Sequence, residues 1–148
     1  MKKLSKLNFL LVMLSLLMWA SCKTDKITPV VEPVKDLTGT WRVVKATRNG
    51  TDLFTLVDTT TTFGKFTIVF KSGTYTLNNP LPFIVVQNGN YALDNPQYPF
   101  QITFTPTGSA PVATAFTYPI VDGIRVLTLV FSPGCPQNTY SYSLQKVN

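Results

Sequence analysis

Short segments in which every second residue is apolar recur along this chain and limit its fold most strongly. In segment 65–71, large apolar side chains occupy every second position, and segments 125–131 and 139–147 repeat the pattern. A spacing of two puts these side chains on one face of a β-strand, whereas a helix needs spacings of three and four. Residues 37–147 contain no sustained helical period. The sequence therefore predicts an all-β domain.

Turn signals between the alternating segments predict how the strands are joined. We expect eight strands, at about 39–47, 65–71, 74–77, 84–93 with a break near 88–90, 100–105, 113–121, 125–131 and 139–147. Asn49-Gly50, Ser72-Gly73 and Asp122-Gly123 are typical of tight turns between paired strands. Pro119 indicates a bulge or an edge position. Strands joined in sequence order form an antiparallel meander, which most simply closes into a small barrel without exposed edges.

The same alternation predicts which side chains fill the interior. We expect the following residues to face inward: Trp41, Val43, Phe66, Ile68, Phe70, Tyr75, Leu77, Phe100, Ile102, Phe104, Leu127, Leu129, Phe131, Tyr140, Tyr142 and Leu144. Full burial of a large apolar side chain contributes about 1.5–3 kcal/mol. A core of this size is expected to suffice without a disulfide. For segment 52–64 the sequence allows two predictions, namely one turn of helix or a loop that covers a barrel end.

The N-terminus has the marks of a targeting segment. Basic residues precede an apolar stretch from Leu7 to Trp19, and Ala20-Ser21-Cys22 follows. The stretch is shorter than the roughly 20 residues of a membrane-spanning helix, and small residues rather than charges end it. Residues 19–22 resemble the lipobox of bacterial lipoproteins, although Trp19 stands at a position that is usually aliphatic. This resemblance implies that 1–21 is a cleaved signal peptide and that Cys22 becomes the lipid anchor.

Residues 22–36 are expected to form a lipid-anchored tether. Pro29 and Pro33, alternating charges and the absence of a periodic apolar face favour an extended chain. Lys23, directly after the anchor, resembles the sorting signal of outer-membrane lipoproteins, so we expect an outer-membrane location, in either leaflet. The alternative to a lipoprotein signal peptide is that residues 1–21 are an ordinary secretory peptide that ends near a cysteine. If Cys22 is acylated, Cys135 has no intramolecular partner, and we expect its side chain to be half-buried in a loop.

Composition excludes several classes of function. The chain has no histidine, and its one glutamate, Glu32, lies in the tether. Triad catalysis and histidine metal sites are therefore excluded. We expect no enzyme, no metal and no cofactor. Three of the 13 basic residues lie in 1–21, and the ten that remain against seven acidic residues give a charge of +3. These charges are scattered, which argues against a nucleic-acid partner.

A series of short motifs resembles a known family. Leu37-Thr38-Gly39-Thr40-Trp41 opens the first strand and is similar to the Gly-x-Trp motif of lipocalins. More closely, the chain resembles the lipocalin-like domains of Bacteroidetes lipoproteins, in the order Asn49-Gly50, Phe66 to Phe70, Gly73-Thr74-Tyr75 and Tyr142 to Lys146. The resemblance implies a lipocalin-like barrel over 37–148, with Trp41 as a structural plug at its closed end. An arginine often covers this tryptophan in lipocalins, but the last strand here offers only Lys146.

Two functions remain open at this point. The lipocalin resemblance implies a small apolar ligand, held at a barrel mouth lined by Phe54, Leu56, Phe63, Leu81 and Phe83. The alternative is a module with a filled barrel core that docks on an envelope protein or a glycan. Aromatic residues in or beside proline-rich loops favour the second function, namely Phe83, Tyr91, Tyr98, Phe116 and Tyr118. Eight strands enclose room only for side chains or for one small ligand. A filled core and a bound ligand are therefore alternatives for the same interior volume.

One further motif concerns modification. Asp58-Thr59-Thr60 resembles the acceptor for O-glycosylation in exported Bacteroidetes proteins. The resemblance implies O-glycosylation of this segment. Intact-mass measurement of native material tests it.

Overall fold

A closed antiparallel β-barrel forms the folded part of the chain. The computed structural model describes residues 28–56, 63–79 and 81–147. Its strands are β1 (Gly39–Arg48), β2 (Thr51–Asp52), β3 (Thr67–Lys71), β4 (Thr74–Asn78), β5 (Gly89–Leu93), β6 (Gln101–Pro106), β7 (Val112–Thr117), β8 (Ile120–Val121), β9 (Ile124–Phe131) and β10 (Tyr140–Lys146). Across the described residues there is no helix. The all-β prediction is confirmed.

Eight of these strands close the barrel in sequence order. The order is β1-β3-β4-β5-β6-β7-β9-β10, and β10 pairs with both β9 and β1, which closes the ring. The two-residue strands β2 and β8 extend the edges of β1 and β9. The predicted eight-stranded meander is therefore confirmed, with two short strands added. Closure leaves each long strand paired on both sides, which removes the exposed edges of an open sheet.

The predicted turns form for a local reason. Asn49, Ser72 and Asp122 adopt left-handed backbone conformations, with φ of 51°, 48° and 50°, and a glycine follows each of them. A two-residue turn of this kind needs positive φ at both central positions, which asparagine and aspartate tolerate and glycine adopts freely. The turn chemistry written in the sequence thus sets the local connections.

The strand predicted over 113–121 is interrupted at Tyr118 and Pro119. The pairing of Ala115 with Val130 and that of Ile120 with Arg125 belong to one continuous register of β9. Between them, the backbone N–H of Val126 still donates to the Pro119 carbonyl over 3.0 Å. Because proline has no N–H to return, the ladder is interrupted here and resumes in the same register at Ile120. This interruption is the irregularity that Pro119 predicts.

A bulge in β1 shifts the side chains that face the core. Val43 pairs with Leu144 and Lys45 pairs with Ser143, so that Val44 is an extra residue. Trp41 and Val43 point inward before the bulge, and Ala46 does so after it. An inserted residue reverses the alternation of a strand, and simple counting along the sequence therefore missed Ala46.

Most of the predicted core is confirmed by burial. Leu77 and Tyr140 are half-buried, and the other predicted residues apart from Phe100 are buried. The prediction for Phe100 is wrong, because its side chain is 76% exposed. Phe100 precedes β6, and its N–H donates to the Asp94 carboxylate in the loop before that strand. The alternation of β6 therefore begins only at Ile102.

The predicted strand over 84–93 forms only in its second half, as β5. Phe83 and Val85 are buried although they lie in irregular chain before that strand. Their alternation arises because segment 81–88 lies across one end of the barrel. We call this the open end; the opposite end, which holds Leu37, Trp41 and the Asp122-Gly123 turn, is the closed end. The N–H of Lys35 donates to the Pro96 carbonyl over 2.7 Å, so the chain enters the barrel at the closed end.

Candidate functional site

Phe83 fills the open end of the barrel. Its side chain is 2% exposed, and its ring centroid lies 5.2 Å from that of Phe66, 5.5 Å from that of Phe131 and 6.1 Å from that of Tyr142. Aromatic pairs at such separations contribute about 0.5–1.5 kcal/mol beyond the area they bury. The segment that brings Phe83 here therefore acts as a plug and is anchored by its own side chain.

Two core tyrosines hold this plug by hydrogen bonds. The Tyr75 hydroxyl donates to the Gln87 carbonyl and the Tyr142 hydroxyl donates to the Pro82 carbonyl, each over 2.8 Å. Burial raises the pKa of both phenols to about 12. Both hydroxyls therefore stay protonated, and able to donate, throughout the physiological pH range.

The five residues predicted to line a ligand site lie at the open end, but four of them pack. Phe54 stacks on Phe63 at 5.1 Å, and Phe63 meets the edge of Tyr142 at 5.9 Å. Leu81 is half-buried against the core, as is Phe54, whereas Leu56 is 67% exposed. The grooves that described residues line beside β7, beside segment 86–88 and at the closed end contain none of these five residues.

The barrel interior is occupied by its own aromatic side chains. Phe104 packs against Phe70 in a tilted arrangement and against Tyr75 edge-on. Phe66, Phe83, Phe131 and Tyr142 continue the cluster to the open end. An eight-stranded barrel has room for such side chains or for one small ligand. Here the side chains take that room.

The closed end is built around Trp41. This residue is fully buried, and its indole N–H donates to the Leu37 carbonyl over 2.7 Å. Tyr118 packs against it at 5.9 Å, and the Arg125 guanidinium lies 5.4 Å from the Tyr118 ring. Gly39 has φ of +130°, and the Lys146 side chain occupies the place where a Cβ would stand. Lys146 and Arg125 therefore line the same groove as Trp41 at the closed end.

A large part of the barrel wall carries no charge. Between Ser72 and Val121 the sequence has a single charged residue, Asp94. This stretch forms β4, β5, β6, β7 and β8. The outward side chains of its four long strands are small or uncharged: Thr74, Thr76, Asn78, Asn90, Ala92, Gln101, Thr105, Ala113, Ala115 and Thr117, all exposed. We call this surface the charge-free face. The long run without lysine, arginine or glutamate is visible in the sequence and could have indicated this face, but the prediction from sequence did not use it.

Two grooves run along β7 on this face. One encloses about 490 Å³ and opens where β7 separates from β9, beyond the last pairing of Ala115 with Val130. The other encloses about 360 Å³ beside the exposed Phe100 ring. Both share residues 113–115 as one wall. The charge-free face therefore combines concave surface with exposed apolar side chains.

Most aromatic residues predicted for docking are instead packing residues. Phe83 and Phe116 are buried, and Tyr91 and Tyr118 are half-buried against the core. Tyr91 and Phe116 turn inward from β5 and β7, and Phe83 and Tyr118 turn inward from the irregular chain beside the strands, so these four side chains do not support docking. Tyr98 alone of the five is exposed, and it lies two residues from Phe100. These two rings border the charge-free face.

The carboxylate of Asp94, in the loop beside the charge-free face, has a structural role. Asp94 accepts the backbone N–H groups of Phe100 and Gln101, each over 3.0 Å, and these bonds lower its pKa. Within the described ranges no three metal-binding side chains come together, and no helix is long and apolar enough to cross a membrane. The Cys135 thiol is exposed, rather than half-buried as expected. Cys22 and Asp58-Thr59-Thr60 lie outside the described residues.

A family model with the description "Domain of unknown function (DUF5004)" matches residues 18–145. The chain belongs to this family. No curated protein and no solved structure matches the chain. For this DUF5004 chain, the fold is that of a small closed β-barrel.

Proposed function

We propose that this chain is a non-enzymatic lipoprotein of the outer membrane, anchored through acylated Cys22, and that its barrel docks on another envelope protein through the charge-free face. The barrel is then a rigid scaffold rather than a container. The anchor, the filled interior and the docking face each have separate support.

The anchor is supported by the sequence around Cys22. A basic start, a short apolar stretch and small residues precede the cysteine. The DUF5004 match begins at residue 18 and so includes Cys22. Each buried methylene of an acyl chain contributes about 0.8 kcal/mol, and two or more chains hold a protein stably where one does not. Lys23 supports sorting to the outer membrane.

The filled interior supports docking over the storage of an apolar ligand. A bound ligand would have to displace Phe83, and with it the hydrogen bonds from Tyr75 and Tyr142 to the plug. Losing a large buried aromatic side chain costs about 3–5 kcal/mol. A lipocalin-like origin of the barrel fits this picture, because Gly39 and Trp41 keep their places at the closed end while the mouth is filled.

The single observation that carries the docking proposal is the lack of charge on an exposed face. About 25–35% of a typical soluble surface consists of charged residues, whereas segment 72–121 offers only Asp94. Charged residues are depleted at the centre of protein–protein interfaces, where aromatic residues are enriched. Exposed Tyr98 and Phe100 at the border of the face supply such anchors. A protein partner therefore fits this face better than a nucleic acid does.

A photo-crosslinking experiment in native cells tests this docking. With the crosslinker at residue 113, we expect one adduct of defined mass, which disappears when Ala115→Arg is added. With the crosslinker at residue 45, on the charged strand β1, we expect none. The partner identified by mass spectrometry should then bind purified wild-type protein at least about tenfold more tightly than Ala115→Arg, because an unpaired buried charge costs several kcal/mol.

The controls separate the parts of the proposal. Ala113, Ala115 and Lys45 are exposed, so that equal thermal unfolding of all variants is expected. Equal adducts at both positions, or none at residue 113, contradict the docking face. The intact mass of the same native material reports whether residue 22 is an acylated N-terminus, and it also shows any glycan on Asp58-Thr59-Thr60.

A further inference from the structure

The β8–β9 hairpin projects from the closed end of the barrel. On one side, the pairing of β6 with β7 reaches only Ala115, and on the other side the pairing of β9 with β10 ends at Val126. The hairpin from Ile120 to Arg125 lies beyond both limits and pairs only within itself. It is therefore a two-stranded ribbon that extends past its neighbours.

The tip of this ribbon is apolar. Ile120, Val121 and Ile124 are exposed by 59%, 47% and 50%, and they flank the Asp122-Gly123 turn. Val147, at the end of β10, is also exposed. Large aliphatic side chains that cluster at a projecting tip are characteristic of surfaces that meet a membrane or a partner. The tip thus has the chemistry of a short insertion element.

Cations surround the base of the ribbon. A groove of about 640 Å³ lies there, and Arg42, Arg125 and Lys146 contribute to its lining. Arg125 is held in place, since its guanidinium donates to the Tyr118 carbonyl over 3.1 Å and lies over the ring of that residue. An array of cations beside an apolar tip complements a surface of lipid phosphates above acyl chains.

The acidic groups at this end leave an excess of positive charge. Glu32 forms an ion pair with Lys35. The Asp36 carboxylate accepts the Thr38 N–H over 2.8 Å, and its pKa is lowered by that residue and, more weakly, by Lys146. Asp122 lies in the turn itself. Asp94 also lies at this end, in the loop that holds Pro96. Asp36, Asp94 and Asp122 thus stand against Arg42, Arg125 and Lys146 of the groove and Lys71 at the end of β3, which leaves one positive charge in excess.

The chain also enters the barrel at this end. Lys35 is bonded to Pro96 at the closed end, so only residues 23–34 separate it from Cys22. Fully extended, this segment spans about 40 Å at roughly 3.3 Å per residue. The end of the barrel nearest the anchor in sequence is thus the end that bears the apolar tip and the cations.

We infer that the closed end rests on the membrane, with the β8–β9 tip inserted at the headgroup boundary and with Arg42, Arg125 and Lys146 on lipid phosphates. The inference rests on the proposed anchoring at Cys22. Elements that lie in the interface bury their apolar side chains about 5–10 Å deep while cations stay at the headgroups. The charge-free face then stands upright, along the side of the barrel, where a second envelope protein can reach it.

Depth-dependent fluorescence quenching tests this orientation. The lipidated full mature chain is reconstituted in vesicles of phosphatidylethanolamine and phosphatidylglycerol, with or without brominated acyl chains. Wild-type protein, whose mature chain has Trp41 alone, provides the baseline. The emission added by Val121→Trp should fall about two-fold in brominated vesicles, since bromine quenches an indole at the depth of an interfacial element. The matched control is Val86→Trp, an exposed valine at the open end, whose added emission should not change.

The outcomes separate this inference from the proposal beneath it. Wild-type protein that leaves the vesicles in a salt wash shows that the anchor has failed. Protein that stays bound, with Val121→Trp unquenched or quenched no more than Val86→Trp, overturns the orientation. Both valines are exposed, so that neither tryptophan disturbs the core, and a normal unfolding curve verifies this for each variant.

Discussion

Gly89, in β5, occupies a place where the chain has no room for a side chain. A Cβ built on it would stand 2.1 Å from the carbonyl oxygen of Thr105 and 2.8 Å from Cα of Pro106. Gly89 pairs with Tyr75 on one side and with Pro106 on the other. Its role is therefore close approach of two backbones and not a special φ. Closure of the barrel on this side depends on that approach.

We predict that Gly89→Ala lowers the free energy of unfolding by about 3 kcal/mol, because the methyl group forces β5 and β6 apart. Gly73→Ala is the matched control. Gly73 has φ of +81° and open space around it, so it should cost only the left-handed strain of about 1–2 kcal/mol. Urea denaturation of both variants measures the difference. A smaller loss for Gly89→Ala than for Gly73→Ala contradicts the steric account.

At the scale of elements, segment 81–88 closes the open end of the barrel although it has no regular secondary structure. It forms no strand, yet it buries Phe83 and Val85 and receives two tyrosine hydrogen bonds. Val86, between these contacts, points to solvent. The segment is an irregular plug whose stability comes from the interior that it closes.

Phe83→Ala should lower the free energy of unfolding by about 3–5 kcal/mol, because it leaves a cavity among Phe66, Phe131 and Tyr142. Leu56→Ala, at an exposed position of the same end, should stay within about 0.5 kcal/mol of wild type. An apolar cavity of this kind binds benzene, which should raise the melting temperature of Phe83→Ala and not that of wild type. Equal stabilisation of both proteins would mean that the native interior already has room for a ligand.

At the scale of the whole molecule, the two buried phenols couple stability to alkaline pH. Unfolded tyrosine releases its proton near pH 10.0, whereas folded Tyr75 and Tyr142 release theirs near 12. Between these values the unfolded chain binds fewer protons than the folded one, so the free energy of unfolding falls as pH rises. The stabilisation is fully present below pH 10 and is lost as pH passes through the folded pKa.

We therefore expect chemical denaturation to show a falling free energy of unfolding between pH 10 and 12. The double variant Tyr75→Phe, Tyr142→Phe should lose most of this slope, and at neutral pH it should cost about 1 kcal/mol for each lost hydrogen bond. Tyr98→Phe, at an exposed phenol, should retain the wild-type slope. A wild-type protein whose stability is flat over this range would show that the two phenols are not buried.

The order and closure of the strands were predictable because the signals are local. Alternation within β3, β9 and β10 and the turns at Asn49, Ser72 and Asp122 act through neighbouring residues. The sites were harder to predict. Phe100 continues an alternating pattern but lies outside its strand, and the bulge at Val44 reverses the pattern that follows it. Neither the exposure of Phe100 nor the bulge at Val44 can be predicted from the spacing of apolar residues.

The sequence by itself determined an all-β meander, its tight turns and most of its core, because pleat periodicity and turn conformation are properties of adjacent residues. Only the tertiary structure decided that Phe83 fills the open end while Phe100 faces solvent, since irregular segments compete for an interior volume that distant strands define. It likewise decided that a stretch without charge becomes one wall of the barrel. In a meander, strands that follow one another in sequence lie side by side in space.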